Sequence, residues 1–114
     1  GHALERVSGY GALLHGEAVS LGMVVAAAIA VQAAMFSEEA LTRQNNLLKA
    51  LGLPTVYEGP ARATAILAAM QYDKKVANKQ VRWVMPRRIG AAETTTLPSD
   101  LVESVITTFF ARNE

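Results

Sequence analysis

The chain has 114 residues, of which 51% are hydrophobic and 18% are charged, and its formal net charge is +1. This length fits one folded domain with one core, and this composition excludes a disordered chain. The near-neutral charge, without a basic stripe, argues against a nucleic-acid binder, and the lack of cysteine excludes disulfides and thiolate metal sites. The first residues have no signal-peptide layout and no initiator Met, so we expect part of a longer protein.

The first half of the chain predicts three helices. Residues 1–8 are expected to form the end of one helix, which a Gly-rich segment interrupts. A second, long helix is predicted from His15 to about Phe36. Ser37 is then the expected N-cap of an amphipathic helix that stops at Gly52, where a left-handed residue is favoured.

The second predicted helix is apolar on all sides, with no charged residue between Ala18 and Phe36. A bilayer needs roughly 20 such residues, but Ala is a weak membrane signal and no Trp or Tyr belt flanks the run. A buried helix is therefore favoured, and it needs neighbours all round. We expect some of them to come from missing sequence or a second subunit. Gly16 and Gly22 would allow close approach by another backbone or by a ligand.

The second half of the chain predicts two more helices with a small sheet between them. Residues 61–72 carry an apolar stripe and are expected to end in Asp73-Lys74-Lys75, and Ser99 is the expected N-cap of the last helix. Alternation from Val81 to Met85 indicates a short strand. The predicted fold is mainly α, with a two-stranded β excursion near 81–96.

Two details of that excursion follow from single residues. Pro86 should end the first strand or confine it to an edge, because proline cannot donate a ladder hydrogen bond. A second strand is expected near Ala92–Thr96.

His15 and Glu17 stand at the start of the long apolar run. A neutral histidine can ligate a metal, and a nearby carboxylate can orient it. On the residues alone an ordinary helix start is favoured, because an acidic first turn complements the helix dipole. His2 is favoured as a solvated side chain, and two histidines fall short of the three protein ligands that a catalytic zinc takes.

Asp73-Lys74-Lys75 is the third candidate group. Paired lysines can clamp a phosphate or carboxylate, but at a helix end they also complement the dipole, which is the favoured interpretation. Arg87-Arg88 has the same two interpretations, with solvent exposure favoured. Because the chain has no Gly-rich phosphate loop, nucleotide binding cannot be placed on these residues.

Several segments, taken together, resemble the C-terminal domain of the 3-dehydroquinate synthases, which are sugar phosphate cyclases. They follow the family's order and spacing: Gly1–Glu5, Leu14–Val19, Leu51–Pro54, Asp73-Lys74-Lys75 and Arg87–Gly90. The resemblance covers nearly the whole chain. It implies the multi-helical C-terminal domain of the dehydroquinate synthase-like fold. Residues 1–114 would then form one metal- and substrate-binding domain without its NAD-binding domain.

The same resemblance implies roles for four residues. His15 would be a zinc ligand, His2 would contact the substrate phosphate, and either Lys74 or Lys75 would reach the substrate anion. The implied reaction is that of the shikimate pathway, in which 3-deoxy-arabino-heptulosonate 7-phosphate becomes 3-dehydroquinate and phosphate. The full-length enzyme would use NAD and a divalent metal, zinc or cobalt.

Further expectations follow from the family. The enzyme should be a cytoplasmic dimer whose partner is a small sugar phosphate, with no nucleic-acid or membrane partner. The family's other zinc ligands, a histidine and a glutamate, precede this chain's first residue. We therefore expect the 114 residues alone to be inactive, to lack NAD affinity and to hold zinc weakly.

Three alternatives remain open on the sequence. The chain could belong to a related cyclase of the 2-deoxy-scyllo-inosose or valiolone type. It could belong to a polyol dehydrogenase of the glycerol dehydrogenase type, which would oxidise without releasing phosphate. It could also be a stand-alone helical interaction module without catalysis, if its reading frame begins near Gly1.

Overall fold

The computed structural model describes residues 1–9, 13–77 and 83–111, and it describes the side chains of all of these except residues 73–77. The elements in this part of the chain are, in order, α1 His2–Ser8, α2 His15–Gln32, α3 Glu38–Ala50, α4 Ala63–Ala77, β1 Trp83–Arg88, β2 Ala91–Thr95 and α5 Ser99–Phe109. The predicted mainly helical fold with a two-stranded sheet is confirmed.

α2 is the central helix of this fold. It contacts α1, α3, α5 and β1, and Ala27, Ile29 and Ala30 on it are fully buried. By length and composition α2 could cross a membrane, but the core helix of a soluble protein passes the same test. Packing against four elements is what an apolar helix needs in a core, as the sequence predicted.

α2 ends four residues earlier than predicted, because the chain turns left-handed at Ala34, whose φ is 60°. There the Ala34 N–H donates to the Val31 carbonyl at 3.1 Å, and the Met35 N–H donates to the Ala30 carbonyl at 2.8 Å. This pair of bonds is the Schellman arrangement, which satisfies the last carbonyls of a helix. Glycine usually occupies the left-handed position, so an alanine gave no signal in the sequence.

Ala34→Gly should therefore stabilise the chain. A left-handed conformation costs an L-residue about 1–2 kcal/mol, part of which is offset by the greater freedom of glycine in the unfolded state. We expect a net gain of about 0.5–1 kcal/mol in urea-induced unfolding, followed by the fluorescence of Trp83, the single tryptophan.

Ala33→Gly is the matched control for this gain, because Ala33 has a φ of −82° and no left-handed strain to relieve. It should destabilise the chain. Equal effects of the two substitutions would contradict the strain at Ala34.

α3 begins and ends where the sequence predicted. The Ala40 N–H donates to the Ser37 hydroxyl at 3.0 Å, which confirms the N-cap. At the other end Gly52 has a φ of 78°, and the Leu53 N–H donates to the Leu48 carbonyl at 2.9 Å. Gly52 is thus the left-handed residue expected after the helix.

The predicted limits of α4 and α5 were wrong in three places. α4 begins at Ala63, two residues later than predicted. α4 continues through Asp73-Lys74-Lys75 to Ala77, since lysine is a good helix former and no Gly or Pro stops the helix there. The prediction that Ser99 is the N-cap of α5 is also wrong. Pro98 holds that position with a φ of −59°, and Ser99 is the first helical residue.

β1 and β2 form an antiparallel pair in which Pro86 lies opposite Ala92, with an irregularity in register between Pro86 and Arg88. Proline is tolerated because both strands of a two-stranded sheet are edges. Met85, only 1% exposed, points into the core, while Val84 is exposed, so the predicted alternation is confirmed from Trp83 onward. Val81 lies outside the described residues.

Tyr57 ties the loop between α3 and α4 to two helices. Its side chain is buried, a hydrogen bond of 2.8 Å joins its hydroxyl to that of Ser8, and the Ala61 N–H donates to the same oxygen at 3.0 Å. Its ring meets Phe110 edge-on, with centroids 5.4 Å apart. The C-terminal end of α1 is therefore anchored to the core through one aromatic side chain.

Candidate metal and substrate site

His15 is the first residue of α2, and its ring is 72% exposed. Its Nδ1 lies 3.0 Å from Oε1 of Glu5 on α1. Glu5 is the less exposed partner at 25%. The ring therefore reaches solvent while one of its nitrogens is held by a carboxylate from the neighbouring helix.

Glu17 caps the start of α2 and does not contact His15 in the described structure. Its Oε1 accepts a hydrogen bond of 2.9 Å from the Leu14 N–H. This contact satisfies one of the free amides at the start of α2, so Glu17 is the helix-start residue that local reasoning favoured. The carboxylate that contacts His15 is instead ten residues earlier in sequence. The sequence alone gave no periodic signal for that pair, because the two residues lie on different helices and meet only through helix packing.

α1 lies directly against the first turns of α2. A Cβ atom added to Gly22 would be 3.2 Å from the backbone nitrogen of Gly1, so the predicted close backbone approach is confirmed at this glycine. At Gly16 an added Cβ would meet nothing within 4 Å. Since Gly1 lies beside Gly22 and Glu5 beside His15, α1 runs back toward the start of α2.

α1 also contacts α4. The guanidinium carbon of Arg6 lies 4.9 Å from the centroid of the Tyr72 ring, which is a cation–π distance. Tyr72 immediately precedes Asp73-Lys74-Lys75 on α4. The side chains of Lys74 and Lys75 lie outside the described residues, but the helix that carries them packs against α1.

His2 is the exposed first residue of α1. It precedes Glu5 by three residues, or about 4.5 Å of helix rise. Among the described contacts, His15 pairs with Glu5 and not with His2. The fold places His2 and His15 on neighbouring helices without joining them.

Arg87, the other candidate for anion binding, lies 3.7 Å from Glu93 across the sheet, and both side chains are about half exposed. Arg88 is exposed as well. Solvent exposure of both arginines, as the sequence favoured, agrees with these positions. A pair of this kind contributes little to stability.

One side chain of the described residues, His15, suits a metal ligand, but these residues do not form a complete metal site. Within the described part of the chain, no three His, Asp or Glu side chains are grouped so that they could hold a metal ion. His15 does suit a ligand, because a ring whose Nδ1–H is donated to a carboxylate presents Nε2 with a free lone pair. The remaining ligands would have to come from outside this part.

Comparison with known proteins identifies the family. Residues 1–76 match the family described as 3-dehydroquinate synthase C-terminal. The 3-dehydroquinate synthase of Crocosphaera subtropica is 43% identical over 107 residues, which cover 93% of this chain and 29% of that protein. The Nostoc punctiforme enzyme is 44% identical over 107 residues, covering 93% of this chain and 30% of that protein. The chain spans less than a third of the length of these curated relatives.

A solved structure shares the fold. The crystal structure of 2-deoxy-scyllo-inosose synthase complexed with carbaglucose-6-phosphate, NAD+ and Co2+ matches with a TM-score of 0.82, covering 95% of this chain and 32% of that chain. The two sequences are 22% identical, so this likeness shows the fold alone. It confirms the predicted dehydroquinate synthase-like fold. By its match over residues 1–76 and by its fold, the chain belongs to the 3-dehydroquinate synthase C-terminal family.

Proposed function

We propose that residues 1–114 are the C-terminal helical domain of a cytoplasmic 3-dehydroquinate synthase. The enzyme converts 3-deoxy-arabino-heptulosonate 7-phosphate to 3-dehydroquinate and releases phosphate. Relatives that carry this name are 38–44% identical over most of the chain, which supports this substrate over those of other cyclases.

One structural observation carries the proposal: α1 contacts both of the other segments with candidate residues. Through Glu5 it meets His15 at 3.0 Å, and through Arg6 it meets Tyr72 at 4.9 Å. α1 itself carries His2, so the start of α2 and helix α4 both meet the helix on which the third candidate lies. This convergence is what a site assembled from His2, His15 and the lysines of α4 requires.

Each residue then has a role that suits its chemistry. His15 binds the divalent metal, zinc or cobalt, through Nε2. His2 donates to the substrate phosphate, and Lys74 or Lys75 supplies a positive charge for the substrate anion. When bound, the metal and NAD supply Lewis-acid and hydride-transfer chemistry. The protein's own part is to hold one substrate conformer and to neutralise its charge.

The isolated chain should be inactive, and the complete enzyme should be a homodimer with an upstream NAD-binding domain. The incomplete ligand set of the described residues supports the first statement. For the second, the apolar side chains of Val19 and Met23, which lie one turn apart on α2, are each more than 40% exposed. An apolar stripe of this kind is suited to pack against another domain or subunit.

Phosphate release by the complete protein tests this function. We expect release from 3-deoxy-arabino-heptulosonate 7-phosphate, dependent on NAD and a divalent metal, and none from glucose 6-phosphate. Replacing Lys74 and Lys75 singly by Met identifies the lysine that contacts the anion, since only that change should raise KM strongly. The isolated 114-residue chain is the negative control.

A related cyclase is the second candidate, because the structural relative with a TM-score of 0.82 is a 2-deoxy-scyllo-inosose synthase. Phosphate release that is faster from glucose 6-phosphate than from 3-deoxy-arabino-heptulosonate 7-phosphate would establish this related cyclase and reject the first proposal. NAD reduction by a polyol without phosphate release would indicate a dehydrogenase. A reading frame without an upstream NAD domain would indicate a helical interaction module.

A further inference from the structure

We infer that Glu5 is a positioning residue for the metal site: its carboxylate fixes the tautomer and orientation of the His15 ring so that Nε2 is presented as a ligand. This inference rests on the proposed function for the metal itself. The contact on which it depends is a property of the chain alone, because Glu5 and His15 are both described and 3.0 Å apart.

The carboxylate comes from a well-anchored helix. Ala3 and Leu4, which immediately precede Glu5, are buried at 8% and 4% exposure. Four residues further along, Gly9 ends α1, and just before it Ser8 is bonded to the buried Tyr57. Anchors on both sides of Glu5 fix the position from which its side chain reaches His15. The exposed ring therefore depends on the less exposed carboxylate for its orientation.

The chemistry of the two groups then fixes the tautomer. An ionised carboxylate only accepts hydrogen bonds, so a neutral His15 bonded to it must carry its proton on Nδ1. Nε2 is left with a lone pair that points away from Glu5. A carboxylate behind a ligating histidine also increases the basicity of the metal-binding nitrogen.

A plain surface ion pair is the competing explanation for the same distance. Two observations favour positioning. Glu17, the acidic residue closest to His15 in sequence, is engaged by the Leu14 N–H, so the Glu5 contact is selective. In addition, helix packing places the two partners together, since the backbone of Gly1 on the α1 side closely approaches Gly22 of α2.

The test uses the complete protein in its metal-free form, with 15N-labelled histidines and with the His15 signals assigned from a His15→Gln variant. In the wild type we expect neutral His15 to carry its proton on Nδ1. Glu5→Ala should lose that tautomer preference, whereas Glu5→Gln should keep much of it, because the amide oxygen still accepts. Glu17→Gln is the matched control and should leave the tautomer unchanged.

Titration with Co2+ alone, read from the visible absorption of the bound ion, gives the second measurement. Glu5→Ala should weaken Co2+ binding by about 10–100-fold, and Glu5→Gln by less. Binding of NAD+ should stay at the wild-type value in every variant. Unchanged tautomer and Co2+ affinity in Glu5→Ala would overturn the inference, as would an equal loss in Glu17→Gln.

Failure of the proposed function gives a different pattern. The wild type would then neither bind Co2+ nor release phosphate, which rejects the metal site together with its positioning residue. An active, Co2+-binding wild type with no effect of Glu5→Ala rejects the positioning role alone.

Discussion

Replacing His15 by Gln in the complete protein should lower turnover by about three orders of magnitude, or about 4 kcal/mol in activation free energy. Among the contacts of the described residues, His15 is the histidine that a carboxylate holds, and its ring is 72% exposed, so an ion can reach it. Glutamine has no imidazole nitrogen in that place, so the affinity for Co2+ should fall together with turnover. Metal titration and phosphate release measure the two effects.

His2→Gln separates the two histidines. If His2 contacts the substrate phosphate, its loss should raise KM and lower turnover while the affinity for Co2+ stays close to wild type. Both side chains are exposed, so neither change should alter folding by more than about 1 kcal/mol. A His15→Gln protein that binds Co2+ at wild-type affinity and turns over within about tenfold of wild type would contradict the assignment.

The elements that the sequence predicted best are those with chemical signals at their ends. Ser37 and Gly52 bound α3 as expected, since a hydroxyl cap and a left-handed glycine act locally. The end of α2 was predicted too late, because the left-handed position after the helix is occupied by Ala34 and not by the glycine that usually marks such a position. α5 began one residue beyond Pro98 without a side-chain cap, because proline sets its own backbone angle.

The candidate site also contains residues that the sequence raised and one contact that it did not. The residues alone raised His15, His2 and the lysine pair Lys74-Lys75 as candidates but favoured an ordinary structural interpretation of each, and the resemblance then implied their roles. Glu5 was not identified as a partner of His15, because their contact depends on how α1 packs against α2. The spacing of the two residues in sequence does not encode that packing. The roles of the four residues stay predictions until the variants are measured.

Gly59→Ala should strongly destabilise the chain. A Cβ atom at this position would lie 2.8 Å from Cε1 of the Tyr57 ring and closer still to its hydroxyl end. Real side chains do not approach so closely, so the ring or the loop has to move. The ring cannot move freely, because Ser8 and Ala61 hold its hydroxyl and Phe110 packs on its edge.

The expected loss is about 2–4 kcal/mol in the free energy of unfolding, which combines overpacking with at least one weakened hydrogen bond. Urea-induced unfolding measures it. Gly16→Ala is the matched control, because its added Cβ would meet nothing within 4 Å in a helix. That change should stabilise the chain by about 0.5–1 kcal/mol. A loss of similar size in both variants would show that the Tyr57 contact is not the cause.

A double-mutant cycle with Tyr57→Phe locates the clash. Tyr57→Phe alone should cost about 1–2 kcal/mol through the lost hydroxyl. Since the hydroxyl end of the ring is the part nearest to Gly59, the two changes together should cost less than their sum. The same hydroxyl bonds Ser8 at the end of α1, three residues after Glu5. Displacing Tyr57 should therefore also loosen the carboxylate behind His15, so Gly59→Ala should weaken Co2+ binding although the residue touches no proposed ligand.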